Sequence, residues 1–328
     1  MTVNDTIFAL ATAPGRAGIS VFRISGDGAG AALLAVMSRE VLPCPRHSIR
    51  CRMVEPSTGA LLDDGLAVWF PGPASFTGED VAELHCHGGR ATFEAIAAAL
   101  DAIPGLRLAE PGEFSKRAFL AGKIDLTEAE AIADLVDAET DAQRRQALAQ
   151  LGGGLSSRLE AWRAELIDIL AHSEAWIDFP EEGLPSNIEA AARQRIRGLA
   201  EEVRCFLNDN RRGERLRDGL QVTILGAPNA GKSSLLNALA AREAAIVSEK
   251  AGTTRDVIEV RLDLGGWPVN IADTAGLREA SDPVEQEGVR RAMERANTSD
   301  LCLVLFDATA PPDKMSLRLL SPPGTIAV

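Results

Sequence analysis

The densest chemical signal in the 328-residue sequence is the run Gly226-Ala227-Pro228-Asn229-Ala230-Gly231-Lys232-Ser233, which fits G-x-x-x-x-G-K-[ST]. Glycine at both ends lets the backbone N–H groups curl around phosphate oxygens without a Cβ in the way. An apolar run precedes it, and a helical pattern with Leu235, Leu236 and Leu239 on one side follows. The start of that helix adds the positive end of its dipole. In this pattern Lys232 reaches the terminal phosphates and Ser233 is a ligand for Mg²⁺. Lysine is scarce, five residues against 29 arginines, so an accidental match is improbable.

Two further segments follow in the order a nucleotide switch requires. Asp273-Thr274-Ala275-Gly276 closes an apolar run ending at Ala272. There an Asp can hold Mg²⁺ through water and a Gly N–H can meet a γ-phosphate. Between the two lies Gly252-Thr253-Thr254-Arg255-Asp256, whose threonines can complete a Mg²⁺ shell when the γ-phosphate is present. Position 277 is Leu, which cannot orient water as the Gln of many switch GTPases does. Glu285 is a candidate for that task, since a carboxylate can orient water, although acidic residues also favour helix starts for electrostatic reasons alone.

The elements expected to carry these residues form the last of three textures. From Leu220 onward, strand-like runs at 221–225, 257–264, 269–272 and 301–306 alternate with helices after Gly231 and around 285–296, the pattern of a parallel α/β sheet. Residues 121–217 are rich in Ala, Leu, Glu and Arg. Thr127 and Glu130 stand at capping-box spacing. Leu148, Leu151, Leu155, Leu159, Trp162, Leu166 and Ile169 recur on one helical face, expected to be a bundle core, with a kink or a break at Gly152-Gly153-Gly154. A loop with two prolines is expected over 178–187, then a polar helix to about Arg217. Residues 1–120 read as an α+β domain with strands at 19–24, 66–70 and 81–86 and a helix over 90–102.

Composition narrows the remaining options. The net charge is −13, which argues against a general polyanion binder, and 14 aromatics (10 Phe, 4 Trp, no Tyr) are too few for a base-stacking platform. No apolar run approaches the roughly 18 residues of a membrane helix, and Asn4-Asp5 does not begin a signal peptide. Five cysteines without a Cys-x-x-Cys pair point to a reducing, cytoplasmic setting. His85-Cys86-His87 offers two side chains on one strand face, a poor metal site without a third ligand. The basic run Arg211, Arg212, Arg215 and Arg217 is either a solvated helix face or a contact to tRNA or to the nucleotide domain.

The segments 228–237, 251–256 and 273–279 resemble the tRNA modification GTPase family MnmE (TrmE). So do Pro14-Gly15-Arg16, Arg23-Ile24-Ser25-Gly26, Phe76-Thr77-Gly78-Glu79-Asp80, His87-Gly88-Gly89, Pro111-Gly112-Glu113-Phe114-Ser115 and Arg117-Ala118-Phe119. The likeness spans nearly the whole chain. It implies a tetrahydrofolate-binding and dimerisation domain over 1–120, the first half of a helical domain over 121–217, and an inserted G domain over 218–328. The implied activity is potassium-stimulated GTP hydrolysis. It is coupled, with the FAD-dependent partner MnmG in a heterotetramer, to placing a carboxymethylaminomethyl group on the wobble uridine of certain tRNAs.

By the same resemblance, Gly226, Asn229, Ala230, Gly231, Lys232, Ser233, Ser234, Thr253, Thr254, Asp273, Thr274, Ala275 and Gly276 bind the nucleotide. Mg²⁺ takes Ser233 and Thr254, with Asp273 acting through water. K⁺ takes Asn229 and the 249–254 loop, with contacts from Ser248, Ala251, Gly252 and Thr253, and replaces an arginine finger. Glu285 becomes the catalytic carboxylate beside Lys232. Arg23, Glu83 and Lys123 map onto the family's positions for 5-formyl- or methylenetetrahydrofolate. A carboxylate suits the amino-pyrimidinone edge of a pterin, and the two cations suit carbonyls or the glutamate tail. From residues alone these three read as ordinary surface charges.

The chain departs from the family pattern at its end. Thr325-Ile326-Ala327-Val328 reads as the start of a fifth strand, and no Asn-Lys-x-Asp for reading guanine follows it. Guanine specificity therefore comes from the resemblance. The expectation is a fragment of a longer protein, with a marginal G domain if Val328 is the true terminus. The alternative reading is a folate-binding dimeric scaffold with an inactive G domain.

Overall fold

The structure is a computed structural model that describes residues 5–178, 188–209, 212–227, 230–242, 245–246, 258–273, 294, 298–312, 316–317, 320 and 324–328. Two compact units divide the chain, Met1–Ala129 and Glu130–Val328.

The first unit is built on six strands: β1 (Thr6–Leu10), β2 (Ala17–Ser25), β3 (Ile49–Val54), β4 (Leu61–Phe70), β5 (Val81–Gly88) and β6 (Leu106–Leu108), ordered β3-β4-β5-β2-β1-β6. All neighbours are antiparallel except β1 and β6. Alternation along the strands sorts the two faces. Phe22, Ile24, Cys51, Met53, Ala67, Trp69, Ala82, Leu84 and Cys86 point into a core closed by helices α1 (Ala29–Met37) and α2 (Arg90–Asp101). The partners Arg23 and Glu83, and likewise His85 and Leu66, lie on the opposite face. The expected strands are present, and β4 begins five residues before the predicted start at Leu66.

Helix α3 (Glu113–Leu120) completes the set, and α4 (Leu126–Asp137) follows. The capping box lies two residues earlier than predicted. Asp125 Oδ1 accepts the N–H of Glu128 and Glu128 Oε2 accepts the N–H of Asp125, both at 2.8 Å, while the Thr127 hydroxyl donates to Asp125. An ionised Asp is the better acceptor at a helix start, so it takes the cap from Thr127.

In the second unit, α5 (Asp141–Leu151) and α6 (Gly154–Asp178) are separate helices broken at Gly152-Gly153, and α5 has a full capping box between Thr140 and Gln143. The single polar helix expected to reach Arg217 is two helices, α7 (Ile188–Leu207) and α8 (Arg212–Asp218). Trp162 of α6 meets Phe206 of α7 edge-on at 5.5 Å between centroids. The apolar stripe is not a closed core in this chain. Ile169 is buried, whereas Leu148, Leu159 and Leu166 are 42–51% exposed.

The second sheet holds β7 (Leu220–Gly226), β8 (Ala245–Ile246), β9 (Ile258–Leu264), β10 (Trp267–Asp273), β11 (Leu301–Leu305) and β12 (Thr325–Ala327), ordered β12-β11-β7-β10-β9-β8. It is mixed rather than wholly parallel. Strands β10, β7, β11 and β12 run parallel, but β9 pairs antiparallel with β10 because only Gly265 and Gly266 join them. A parallel neighbour would need a crossover of a dozen residues, and a two-glycine link allows only a hairpin. Helix α9 (Lys232–Arg242) packs Leu236 into the core with Val222, Ile224, Leu262, Val269, Ile271 and Leu305. The helix expected around 285–296 and the 178–187 loop fall almost entirely outside the described residues.

Candidate functional site

The phosphate loop starts where β7 ends. Gly226 has φ +150°, and a Cβ there would stand 2.5 Å from the Leu305 carbonyl oxygen of the adjacent β11. Gly231 has φ +92°, a left-handed conformation that turns the chain into α9. Lys232 is the first residue of α9 and is only 7% exposed. Its ammonium donates to the carbonyls of Gly226 at 3.0 Å and Ala227 at 2.7 Å, so the side chain folds back over the mouth of its own loop. Ser233 and Ser234 are exposed on the first helical turn, while Leu235 and Leu236 hold the helix to the sheet.

Asp273 ends β10 with its Cα paired to Ile224 of β7, two residues before Gly226. The two motifs, 47 positions apart, therefore finish side by side at the carboxyl ends of neighbouring parallel strands, where open α/β sheets bind ligands. The structure thus gathers Gly226, Ala230, Gly231, Lys232, Ser233, Ser234 and the backbone of Asp273. Asn229, Ser248, Ala251, Gly252, Thr253, Thr254, Thr274, Ala275, Gly276 and Glu285 lie outside the described residues.

In the first unit, Arg23 and Glu83 face each other across β2 and β5. Arg23 Nε and Nη2 both donate to Glu83 Oε1, at 3.0 and 2.7 Å. The Arg23 guanidinium carbon lies 6.0 Å from the ring centres of both Phe76 and Phe114. Lys123 has another partner, donating to the Pro73 carbonyl at 2.7 Å. It braces the 71–80 loop that carries Phe76.

An ionic lattice fixes both phenyl-bearing segments. Arg107 donates two hydrogen bonds to Glu113, at 2.6 and 2.8 Å, and Glu113 also accepts the Glu110 N–H. Arg117 bridges Glu113 at 3.0 Å and Glu79 at 3.1 Å, and Ser25 donates to Glu79 at 2.8 Å. Glu79 lies in the Phe76 loop, and Glu113 immediately precedes Phe114. The Arg107 hydrogen bonds, aided by the Glu110 N–H and Arg117, hold the Glu113 carboxyl down at about 2 despite its burial.

Sequence reasoning missed this lattice and the flanking phenyl rings, because 23 and 83 meet only through strand pairing. It took His85 and His87 as part of a strand ending in a glycine turn, with a metal site as the poorer alternative, and looked for no carboxylate partner. Each faces a carboxylate instead: His85 Nε2 lies 3.3 Å from Glu83, and His87 Nδ1 2.8 Å from Asp63. Burial pushes the Cys86 thiol up to about 11, which leaves it a core side chain rather than a nucleophile. Of the basic run, Arg215 pairs with Asp300 and Arg217 with Asp134, so these two make contacts within the second unit; Arg211 lies outside the described residues.

Residues 6–123 match the family model described as GTP-binding protein TrmE N-terminus, and residues 126–315 match the MnmE helical domain. The chain belongs to the MnmE (TrmE) family. It is 60% identical over 311 residues to the tRNA modification GTPase MnmE of Paramagnetospirillum magneticum, covering 95% of this chain and 70% of that protein. The MnmE of Parvibaculum lavamentivorans is 60% identical over 301 residues, with 92% and 68% covered. The mitochondrial 5-taurinomethyluridine-[tRNA] synthase subunit GTPB3 of Danio rerio is 52% identical over 316 residues, with 95% and 62% covered. The phosphate loop lies inside the span matched by the MnmE helical model. Among the described residues, no helix is long and apolar enough to cross a membrane.

Proposed function

We propose that this MnmE-family chain hydrolyses GTP in the modification of the tRNA wobble uridine. It acts in the cytoplasm as a homodimer, with the FAD-dependent MnmG as partner in a heterotetramer, to add a carboxymethylaminomethyl group. The observation that carries the reading is the Lys232 ammonium held over the mouth of the phosphate loop, with the end of β10 alongside.

In this reading Lys232 exchanges the carbonyls of Gly226 and Ala227 for β- and γ-phosphate oxygens. The N–H groups from Ala230 to Ser234 cradle the remaining oxygens at the start of α9. The exposed Ser233 suits Mg²⁺, together with Thr254 and, through water, Asp273. Asn229, Ser248, Ala251, Gly252 and Thr253 hold K⁺. Bound Mg²⁺ and K⁺ offset the negative charge that develops on the transferred phosphoryl group. Thr274, Ala275 and Gly276 close over the γ-phosphate, and Glu285 orients the attacking water in place of the Gln that Leu277 replaces.

Arg23 and Glu83 fit a flat heterocycle carrying both donors and acceptors, because the pair is partly exposed between two phenyl faces. They are assigned to 5-formyl- or methylenetetrahydrofolate, with Lys123 at the rim of the same loop. Calorimetry with Mg-GTP tests the nucleotide reading: Lys232→Ala is expected to lose about 100-fold or more in affinity, as fits the loss of a charge-assisted phosphate contact. Unchanged affinity would refute it. Folate binding without any GTP turnover would favour the scaffold alternative.

A further inference from the structure

Glu83 has a second partner to which nothing above assigns a role. Antiparallel pairing sets Val21 and Leu66 on either side of His85, and Arg23 and Val68 on either side of Glu83. Strand residues two apart share a face, so His85 stands next to Glu83 on the side away from the core. Each carboxylate oxygen has about two lone-pair sites. Both sites of Oε1 are taken by Arg23, at 3.0 and 2.7 Å. Oε2 faces His85 Nε2 at 3.3 Å, a long contact that leaves one site open.

We propose that His85 is a positioning residue of the folate site. In the tautomer protonated at Nε2 it steadies Glu83 Oε2, the oxygen that accepts from the donor edge of a 2-amino-4-oxopyrimidine ring. Arg23 locks one oxygen and His85 aims the other. A carboxylate held at only one oxygen swings about its Cγ–Cδ bond, and that freedom is lost on binding at an entropic cost. This inference rests on the folate reading of Arg23 and Glu83.

The test is calorimetric binding of 5-formyltetrahydrofolate to the full chain and to H85L, H85Q and E83A. H85L is expected to weaken binding about tenfold, the size of one hydrogen bond. H85Q keeps an N–H donor and is expected to recover most of the loss. p-Aminobenzoylglutamate, which lacks the pterin edge, is expected to bind wild type and H85L equally. Melting temperatures of the free proteins separate this local effect from misfolding, and H85Q serves if H85L does not fold. If E83A weakens binding while H85L matches wild type, or if H85Q is as weak as H85L, the His85 assignment is overturned and the folate reading stands. If wild type fails to bind, or E83A binds as well as wild type, the folate reading falls and the His85 assignment with it.

Discussion

Asp300 accepts the Nε of Arg215 at 2.8 Å through one carboxylate oxygen, and its other oxygen accepts the backbone N–H of Gln221 at 3.0 Å. One side chain thus ties α8 to the start of β7 from the turn that leads into β11. The same seam includes Asn270 Nδ2 donating to the Asp218 carbonyl and Gln143 Nε2 donating to that of Arg217. The strand that ends in the phosphate loop is therefore anchored at its other end to the helices.

Asp300→Ala is expected to destabilise the second unit by about 1–2 kcal/mol, because it removes the hydrogen bonds to Arg215 and to the Gln221 N–H together. Arg215→Ala is expected to cost less, about 1 kcal/mol or below, since water reaches the arginine and Asp300 keeps the Gln221 N–H. Urea unfolding of the two variants checks the order of the effects.

Glu113 gives the first unit an acid limit. Its carboxyl titrates at about 2 in the folded protein against an ordinary 4.5, so folding favours the ionised form. That contribution is fully present above pH 4.5 and is lost as pH falls toward 2, roughly 3 kcal/mol in all, of which about 2 kcal/mol goes between pH 6 and pH 3. Urea unfolding between pH 6 and pH 3 is expected to show wild type losing more stability than Glu113→Gln. Parallel losses in the two proteins would count against the lattice around Arg107.

Gly226→Ala places a methyl group against the Leu305 carbonyl, at a φ of +150° that side chains rarely adopt. Both effects fall at the loop entrance, so loss of nucleotide binding is expected together with at least about 1–2 kcal/mol of stability. Thermal unfolding with and without Mg-GTP reads the two together, and ligand stabilisation equal to wild type would show that the loop tolerates the change.

The phosphate loop was legible because its residues are contiguous and each type has a local backbone or charge role. Strands β7, β9, β10 and β11 were legible as apolar runs. The direction of β9 was not read from the Gly265-Gly266 link, which by length alone demands a hairpin. Strand β3 hid because its alternation, with Arg50 and Arg52 between Ile49, Cys51 and Met53, is short and has a charged outer face. Arg23 meets the Glu83 and His85 pair of β5 only through the β2–β5 register, which no spacing along the chain reveals. The exposed stripe of α6 shows the limit of periodicity: it predicts a face, not what covers it.

The most direct test of cation-assisted GTP hydrolysis at the Lys232 loop is turnover measured in KCl and in NaCl, with wild type and Glu285→Ala side by side. Faster turnover in KCl, and a loss of about 100-fold or more in the variant, are the expected results. Equal rates in the two salts, untouched by the substitution, would contradict it.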